Sequence, residues 1–224
     1  MSSSPNQIPD LKRDPHSDEH RLDRMQTELH HGFQAMRSVH KAVSFFGSAR
    51  TPEDHPEYQQ SLELARYLGT EGWTIITGGG PGIMEAANRG AQQAGALSVG
   101  LNIDLYFEPD PNPYQDLQLN FHYFFARKVM FVRYASGFIA APGGFGTMDE
   151  IFEALTLVQT QKIGNFPVVL LGVDYWSGLM DWMNDKMLGG GKTNPADMEI
   201  LLSDDYEEII AHLNRYECRP PRTS

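Results

Sequence analysis

The sequence predicts an α/β fold, a mainly parallel sheet with helices on both faces. Three observations carry this. Short apolar runs alternate along the chain with segments whose apolar residues recur at helical spacing. Several of the runs are apolar throughout, as expected of strands buried on both faces. Glycine-rich segments close those runs and place sharp turns at their carboxyl ends. Such alternation of strand and helix builds parallel sheets, in which ligands sit beyond the carboxyl ends of the strands.

Residues 1–19 hold Ser, Pro, Asn, Asp and Lys with few apolar residues, and a disordered tail is expected there. From 20 to 38, Leu22, Met25, Leu29, Phe33 and Met36 form a helical stripe. This helix packs either on its own domain or on a neighbouring subunit. A single domain then fills 39–218, with a short tail at 219–224. Ala42–Phe46 is a buried strand ending in Gly47. Pro56–Glu71 is a helix carrying Leu62, Leu64, Ala65 and Leu68. Trp73–Thr77 is a strand that runs into Gly78-Gly79-Gly80-Pro81-Gly82, followed by an alanine-rich helix over Ile83–Ala94. Leu97–Ile103 is a third strand. The segment 104–115, rich in Pro and Asp, is longer than an ordinary connection and is a candidate functional loop. Leu119–Phe125 reads as a strand leading into a helix over Arg127–Ala135, and Phe138–Ala141 as a central strand. A helix over Met148–Gln161, a strand over Phe166–Leu171, and helices over Tyr175–Leu188 and Asp205–Tyr216 complete the pattern.

The bulk properties exclude several classes. A chain of 224 residues with 41% hydrophobic residues reads as one domain with a tail. The formal charge of −11 repels nucleic acid and anionic membranes, so neither is expected as a partner and any anionic ligand needs a local site. Cys218 is the single cysteine, which excludes an intrachain disulfide and fits a reducing compartment. No apolar run approaches the roughly 20 residues of a membrane span, and Met1–Glu19 is too polar for a secretory signal. A cytoplasmic location is expected.

Four segments carry chemistry. Pro142-Gly143-Gly144-Phe145-Gly146-Thr147-Met148-Asp149-Glu150 passes from a strand into a helix. Glycines there let backbone N–H groups approach a ligand, and the helix start adds partial positive charge. Thr147 offers a hydroxyl to the same anion or caps the helix; the density of glycine exceeds what a cap needs and favours phosphate. Glu150 lies one turn past Gly146, but Asp149 serves the helix dipole equally well, and the sequence leaves the choice between them open. The second segment, Gly78 to Glu85, resembles a dinucleotide fingerprint, with Asp104 at a spacing suited to a ribose. Ile83, however, stands where its last glycine belongs. The third is Arg127-Lys128 at a predicted helix start, where cations answer an anion, a ligand phosphate or a protein carboxylate, or simply face solvent. The fourth is Gly47-Ser48-Ala49-Arg50, whose small residues admit a ligand and whose Arg50 meets a phosphate or pairs with Glu53. The histidines cluster near the N-terminus without a metal-ligand pattern, no G-x-S-x-G elbow is present, and Gly191-Lys192-Thr193 lacks the glycine of a P-loop.

Pro142–Glu150 preceded by Arg127-Lys128 resembles the P-G-G-x-G-T-x-x-E and R-K signature of the LONELY GUY (LOG) family. Phe46–Arg50 and Gly79–Asn88 are similar to segments of its longer, mostly bacterial branch. The resemblance covers about residues 41–190. It implies a Rossmann-like, doubly wound fold, at least a dimer, and hydrolysis of N6-substituted adenosine monophosphates (cytokinin nucleotides), with AMP also accepted by many members. Carried over by position, Gly143, Gly144, Gly146 and Thr147 hold the 5′-phosphate, and Arg127 and Glu150 form the catalytic pair. Gly47, Ser48, Gly79, Gly80, Met84, Glu85 and Lys128 are the remaining substrate-binding candidates. Plant members have a longer glycine stretch without Glu85, so their base preference does not transfer.

Breaking a ribosyl–adenine bond develops positive charge at C1′ and negative charge on the base. A carboxylate at position 150 stabilises the first and orients water; a cation at 127 holds that carboxylate ionised or neutralises the second. This chemistry requires no metal or redox cofactor. Lysine decarboxylation, a label often attached to related sequences, needs a Schiff-base lysine on pyridoxal phosphate, and Lys128 is the sole lysine in a plausible place. A binding module that carries a nucleotide or the molybdenum cofactor without turning it over is the rival from another class, and a dinucleotide redox enzyme is the third.

Overall fold

A computed structural model describes residues 17–104, 110–164 and 166–216. The expected tail over 1–19 therefore falls almost wholly outside the described residues. Its last two positions are helical: α1 (Asp18–Ala35) starts with the Ser17 side chain accepting from the His20 amide.

The remaining elements are β1 (Ala42–Phe46), α2 (Pro56–Thr70), β2 (Thr74–Thr77), α3 (Ile83–Gln93), β3 (Ser98–Ile103), β4 (Leu117–Phe121), α4 (Phe124–Tyr134), β5 (Ala135–Ala140), α5 (Phe145–Gln159), β6 (Val168–Leu170), α6 (Val173–Trp182), β7 (Ile200–Leu202) and α7 (Tyr206–Asn214). The seven strands form one sheet in the order β4-β3-β2-β1-β5-β6-β7, and every pairing is parallel. The chain winds outward from β1 in one direction and from β5 in the other. This is the doubly wound, Rossmann-like sheet, with its switch point between β1 and β5.

Alternation along the central strands sorts the core into two layers. Val43, Phe45, Ile139 and Ala141 pack with Leu64, Leu68, Ala87, Ala91, Ile209 and Leu213, which places α2, α3 and α7 on one face. Phe46, Phe138 and Ala140 point the other way, toward Met130 and Phe131 of α4, Ile151 and Ala154 of α5 and Trp176 of α6. The alanine and glycine content of α3 serves contact with α2: a Cβ on Gly90 would overlap the Leu62 carbonyl oxygen.

Helix α1 lies on α4 of its own chain. The Tyr123 amide donates to Glu28 at 3.2 Å, the Tyr134 hydroxyl donates to the Phe33 carbonyl at 3.1 Å, and Gly32 seats the Met130 side chain. Leu29 and Met36 of the stripe face that core, whereas Leu22 and Phe33 stay exposed.

Three expectations are corrected. Strand β4 ends at Phe121 and α4 begins at Phe124, so Arg127-Lys128 stand a turn inside the helix rather than at its start. The helix expected over Tyr175–Leu188 is α6 followed by a π-helical segment at Met183–Leu188. Edge strand β7 was not expected, because three apolar residues after a short 3-10 turn give no readable period.

Candidate active site

Three loops meet above the switch point. The Ser48 amide donates to the Pro142 carbonyl at 2.9 Å, and the Ile83 amide donates to the Ser48 carbonyl at 3.0 Å. Gly82, at φ +67°, has no room for a side chain against that same carbonyl. The ends of β1, β2 and β5 are thereby fixed to one another. Gly47 is required for this closure, since any Cβ there would strike the Ile83 side chain. It is held by packing between β1 and α3.

The second loop is tied down by amides. Gly79, at φ +74°, donates its N–H to Thr77 Oγ1 and accepts on its carbonyl from the Asn112 amide and from Gln115 Nε2, each at 2.9 Å. Asn112 Nδ2 donates to the Gly80 carbonyl and to Asn88 Oδ1, while Thr77 Oγ1 donates to Asn88 Oδ1 at 2.6 Å. Asn88, Asn112 and Gln115 thus staple residues 110–115, the described end of the Pro- and Asp-rich segment, onto the glycine loop; 105–109 lie outside the described residues. Sequence reasoning singled out that segment but none of these amides. Met84 lies over Gly78 and Gly80, and an Arg127 guanidinium nitrogen lies beside Gly78. Glu85 accepts from the buried Tyr58 hydroxyl at 2.9 Å. Burial, helped by Glu85 and opposed by Arg89, pushes that phenol up to about 12. Arg50 stands exposed, and the carboxylate proposed for it, Glu53, pairs with Arg89 at 3.1 Å instead.

The third loop opens α5. Gly144 is the N-cap residue, no described side chain caps the helix, and the first turn contains no acidic residue. Thr147 is not the cap; it is buried in the first turn, with its hydroxyl against Gly143, where a Cβ would overlap it. Gly144 and Gly146 differ from the other loop glycines. Gly144 sits at φ −91°, which any residue adopts, and an added Cβ at either position meets no described atom within 4 Å. Neither backbone conformation nor packing demands glycine at these two places. A missing side chain leaves the helix-start N–H groups open to an anion.

Glu150 lies one turn further along α5, its side chain 7% exposed, whereas Asp149 is 62% exposed. Burial separates the two, because adjacent helical residues face different ways. Lys128 Nζ bridges three carboxylates: Glu153 at 2.5 Å, Asp149 at 2.9 Å and Glu150 at 3.4 Å. Burial holds the Glu150 carboxyl above the ordinary glutamate range, against the pull of the Lys128 and Arg127 charges. Burial opposes the Lys128 charge, but the hydrogen bonds it donates to Glu153 and Asp149, with the charge of Glu150, outweigh it and hold the ammonium above its usual value. Arg127 is half-buried, its guanidinium 5.1 Å from the Phe124 ring and 5.5 Å from the Phe131 ring. The structure therefore gathers Arg127, Lys128 and Glu150 into one charge cluster beside the open helix start. No group of three or more His, Cys, Asp or Glu that could hold a metal occurs among the described residues.

A doubly wound parallel sheet with glycine-lined loops converging on its switch point defines the Rossmann-like class. Comparison narrows this. A family model described as "Possible lysine decarboxylase" matches residues 84–213. The Mycobacterium tuberculosis cytokinin riboside 5′-monophosphate phosphoribohydrolase is 31% identical over 160 residues, covering 67% of this chain and 83% of its own. The Arabidopsis thaliana relative of the same name, LOG5, is 26% identical over 196 residues, 82% of each chain. A structural-genomics crystal structure is similar with a TM-score of 0.62 at 27% identity, covering 78% of this chain and 99% of that one. The molybdenum cofactor carrier protein of Chlamydomonas reinhardtii shares the fold, with a TM-score of 0.60 at 23% identity over 79% of this chain and 98% of that one. The chain belongs to the LONELY GUY family.

The residues do not fit the decarboxylase chemistry named in the family description. A Schiff-base lysine must lose its proton, and Lys128 is clasped by three carboxylates that keep it charged.

Proposed function

We propose that this protein hydrolyses the N-glycosidic bond of purine nucleoside 5′-monophosphates, AMP or its N6-substituted forms, releasing free base and ribose 5-phosphate. One observation carries the reading: a buried carboxylate with two neighbouring cations lies in the second turn of a helix whose uncapped start no described side chain fills. From Gly146 to Glu150 the helix advances about 6 Å at 1.5 Å per residue, on the order of the reach from a 5′-phosphate to C1′. Phosphate at Gly143, Gly144, Gly146 and Thr147 then fixes C1′ near the Glu150 carboxylate, so remote binding energy positions the reacting bond.

The C1′–N bond breaks with its electrons going to the base, the water oxygen bonds to C1′, and the proton that water loses goes to the departing base. Glu150 stabilises the developing oxocarbenium charge and orients the water. Arg127, held between two aromatic rings, offers positive charge to the departing base. Lys128 acts on Glu150 rather than on substrate.

The working unit is a homodimer or larger. Phe124, Phe125 and Val129 project exposed from α4, the helix that carries Arg127, and a second copy covers them. No described helix is long and apolar enough to cross a membrane. With its single cysteine, the chain is assigned to the cytoplasm.

The test is incubation with AMP and with isopentenyladenosine monophosphate, followed by chromatography for free base and ribose 5-phosphate. Release from either is expected, and the ratio of rates gives the base preference. Nucleotide recovered intact from a folded sample that binds it would replace hydrolysis with carriage.

A further inference from the structure

We propose that Tyr175 is a positioning residue of the phosphate cradle, aiming the Gly144 N–H at the ligand by holding the carbonyl at the other end of the same peptide unit. This rests on the nucleotide reading above and deepens it. The Tyr175 hydroxyl donates to the Gly143 carbonyl oxygen at 2.7 Å. In a planar trans peptide the C=O and the following N–H point in opposite directions. Pinning the Gly143 carbonyl toward α6 therefore turns the Gly144 N–H away from α6, at the start of α5 where no described side chain intervenes. A hydrogen bond accepted by the carbonyl also polarises the peptide and strengthens its N–H as a donor.

The bond is selective for this peptide. Tyr175 sits in the first turn of α6, whose own start is already satisfied: the Gly172 and Val173 amides donate to the Asp204 carboxylate at 2.8 and 3.2 Å. Pro142 packs on Gly172, which holds α6 against the loop. Nothing in the core calls for a tyrosine here, since its side chain is exposed and only its ring edge meets Trp176 at 4.7 Å. A phenylalanine would keep that ring contact and lose the hydroxyl alone. Helix α5 thus receives orientation for its open start from a neighbouring helix, in place of the cap it lacks.

Tyr175→Phe is the test, read by calorimetric binding of ribose 5-phosphate and by steady-state kinetics with AMP. Ribose 5-phosphate should bind about tenfold more weakly, as for one net hydrogen bond. KM for AMP should rise in parallel, with kcat at saturation within about threefold and the thermal midpoint unmoved. Affinity for ribose 5-phosphate within twofold of wild type would overturn the assignment, as would a loss confined to kcat or accompanied by a large fall in thermal midpoint. Wild-type protein that binds neither ribose 5-phosphate nor AMP would overturn the nucleotide reading itself, a result distinct from a variant that binds as well as wild type.

Discussion

Replacing Lys128 with methionine should move the acid limb of the kcat/KM profile to higher pH. Methionine keeps most of the buried stem and removes the ammonium. The Glu150 carboxyl is already raised by burial, and Lys128, 3.4 Å away, is the first charge opposing that rise. Two unit charges at this separation interact by about 1.2 kcal/mol in bulk water and about 5 kcal/mol at an effective dielectric of ~20. One pKa unit corresponds to about 1.4 kcal/mol, so the bounds are roughly 1 and 4 units. Lys128 shares its charge among Asp149, Glu150 and Glu153, which places the shift near the lower bound. Its removal also leaves Asp149 and Glu153 unopposed, and both raise Glu150 further. The variant should therefore lose activity at neutral pH and regain it as the pH rises, with the limb displaced upward by about 1 unit. The assay is initial-rate base release from AMP between pH 5 and 9. A limb that stays in place or moves to lower pH would refute the reasoning, because Glu150 would then not be the group whose ionisation activates the enzyme.

Other expectations follow from single features. Glu150→Gln should lower kcat by more than ~100-fold. Its folded-state pKa is raised, so the stability that Glu150 contributes is full below the unfolded value of 4.5 and is lost as pH rises through the folded value; the amide variant should accordingly melt no lower than wild type at neutral pH. Gly144→Thr should leave the free energy of urea unfolding within about 0.5 kcal/mol of wild type, threonine and glycine being comparable N-caps, while abolishing measurable ribose 5-phosphate binding. Gly90→Ala should destabilise by about 1–3 kcal/mol, measured by urea unfolding, because its Cβ would overlap the Leu62 carbonyl where α2 and α3 meet.

The central sheet was legible because its strands are short, mainly apolar runs that lead into glycine-rich turns: Ala42–Phe46 was placed to the residue, and the strands around Thr77 and Ala140 closely. The edges were not. Ile200–Leu202 is half-buried and short, and such a run carries too few residues to show a period. The start of α4 was missed because Phe124 and Phe125 read as the end of an apolar strand, although both are exposed on a helix. That error had a consequence. Arg127-Lys128 read as cations answering an anion, a ligand phosphate or a protein carboxylate; Lys128 answers carboxylates, and which carboxylates is a contact with α5 that no local pattern announces. Asn88, Asn112, Gln115 and Tyr175 were invisible for the same reason: each acts through hydrogen bonds to a backbone or side chain far along the chain.

Glycine content alone overstates the ligand site, and geometry divides it. Gly47 and Gly143 are explained by the side chains that press on them, and Gly79 and Gly82 by positive φ as well as by crowding. These residues would be glycine in a protein of this shape that bound nothing. Gly144 and Gly146 have no such explanation, and they alone border the uncapped start of α5. An unfilled position that the fold does not need is informative about function in a way that a crowded one is not, since selection for stability would favour a residue with less backbone freedom in the unfolded chain. The two glycines on which folding makes no demand both open α5, the helix that carries Glu150, with Gly146 about one turn before it, and this coincidence supports reading the anion cradle and the carboxylate as parts of one site.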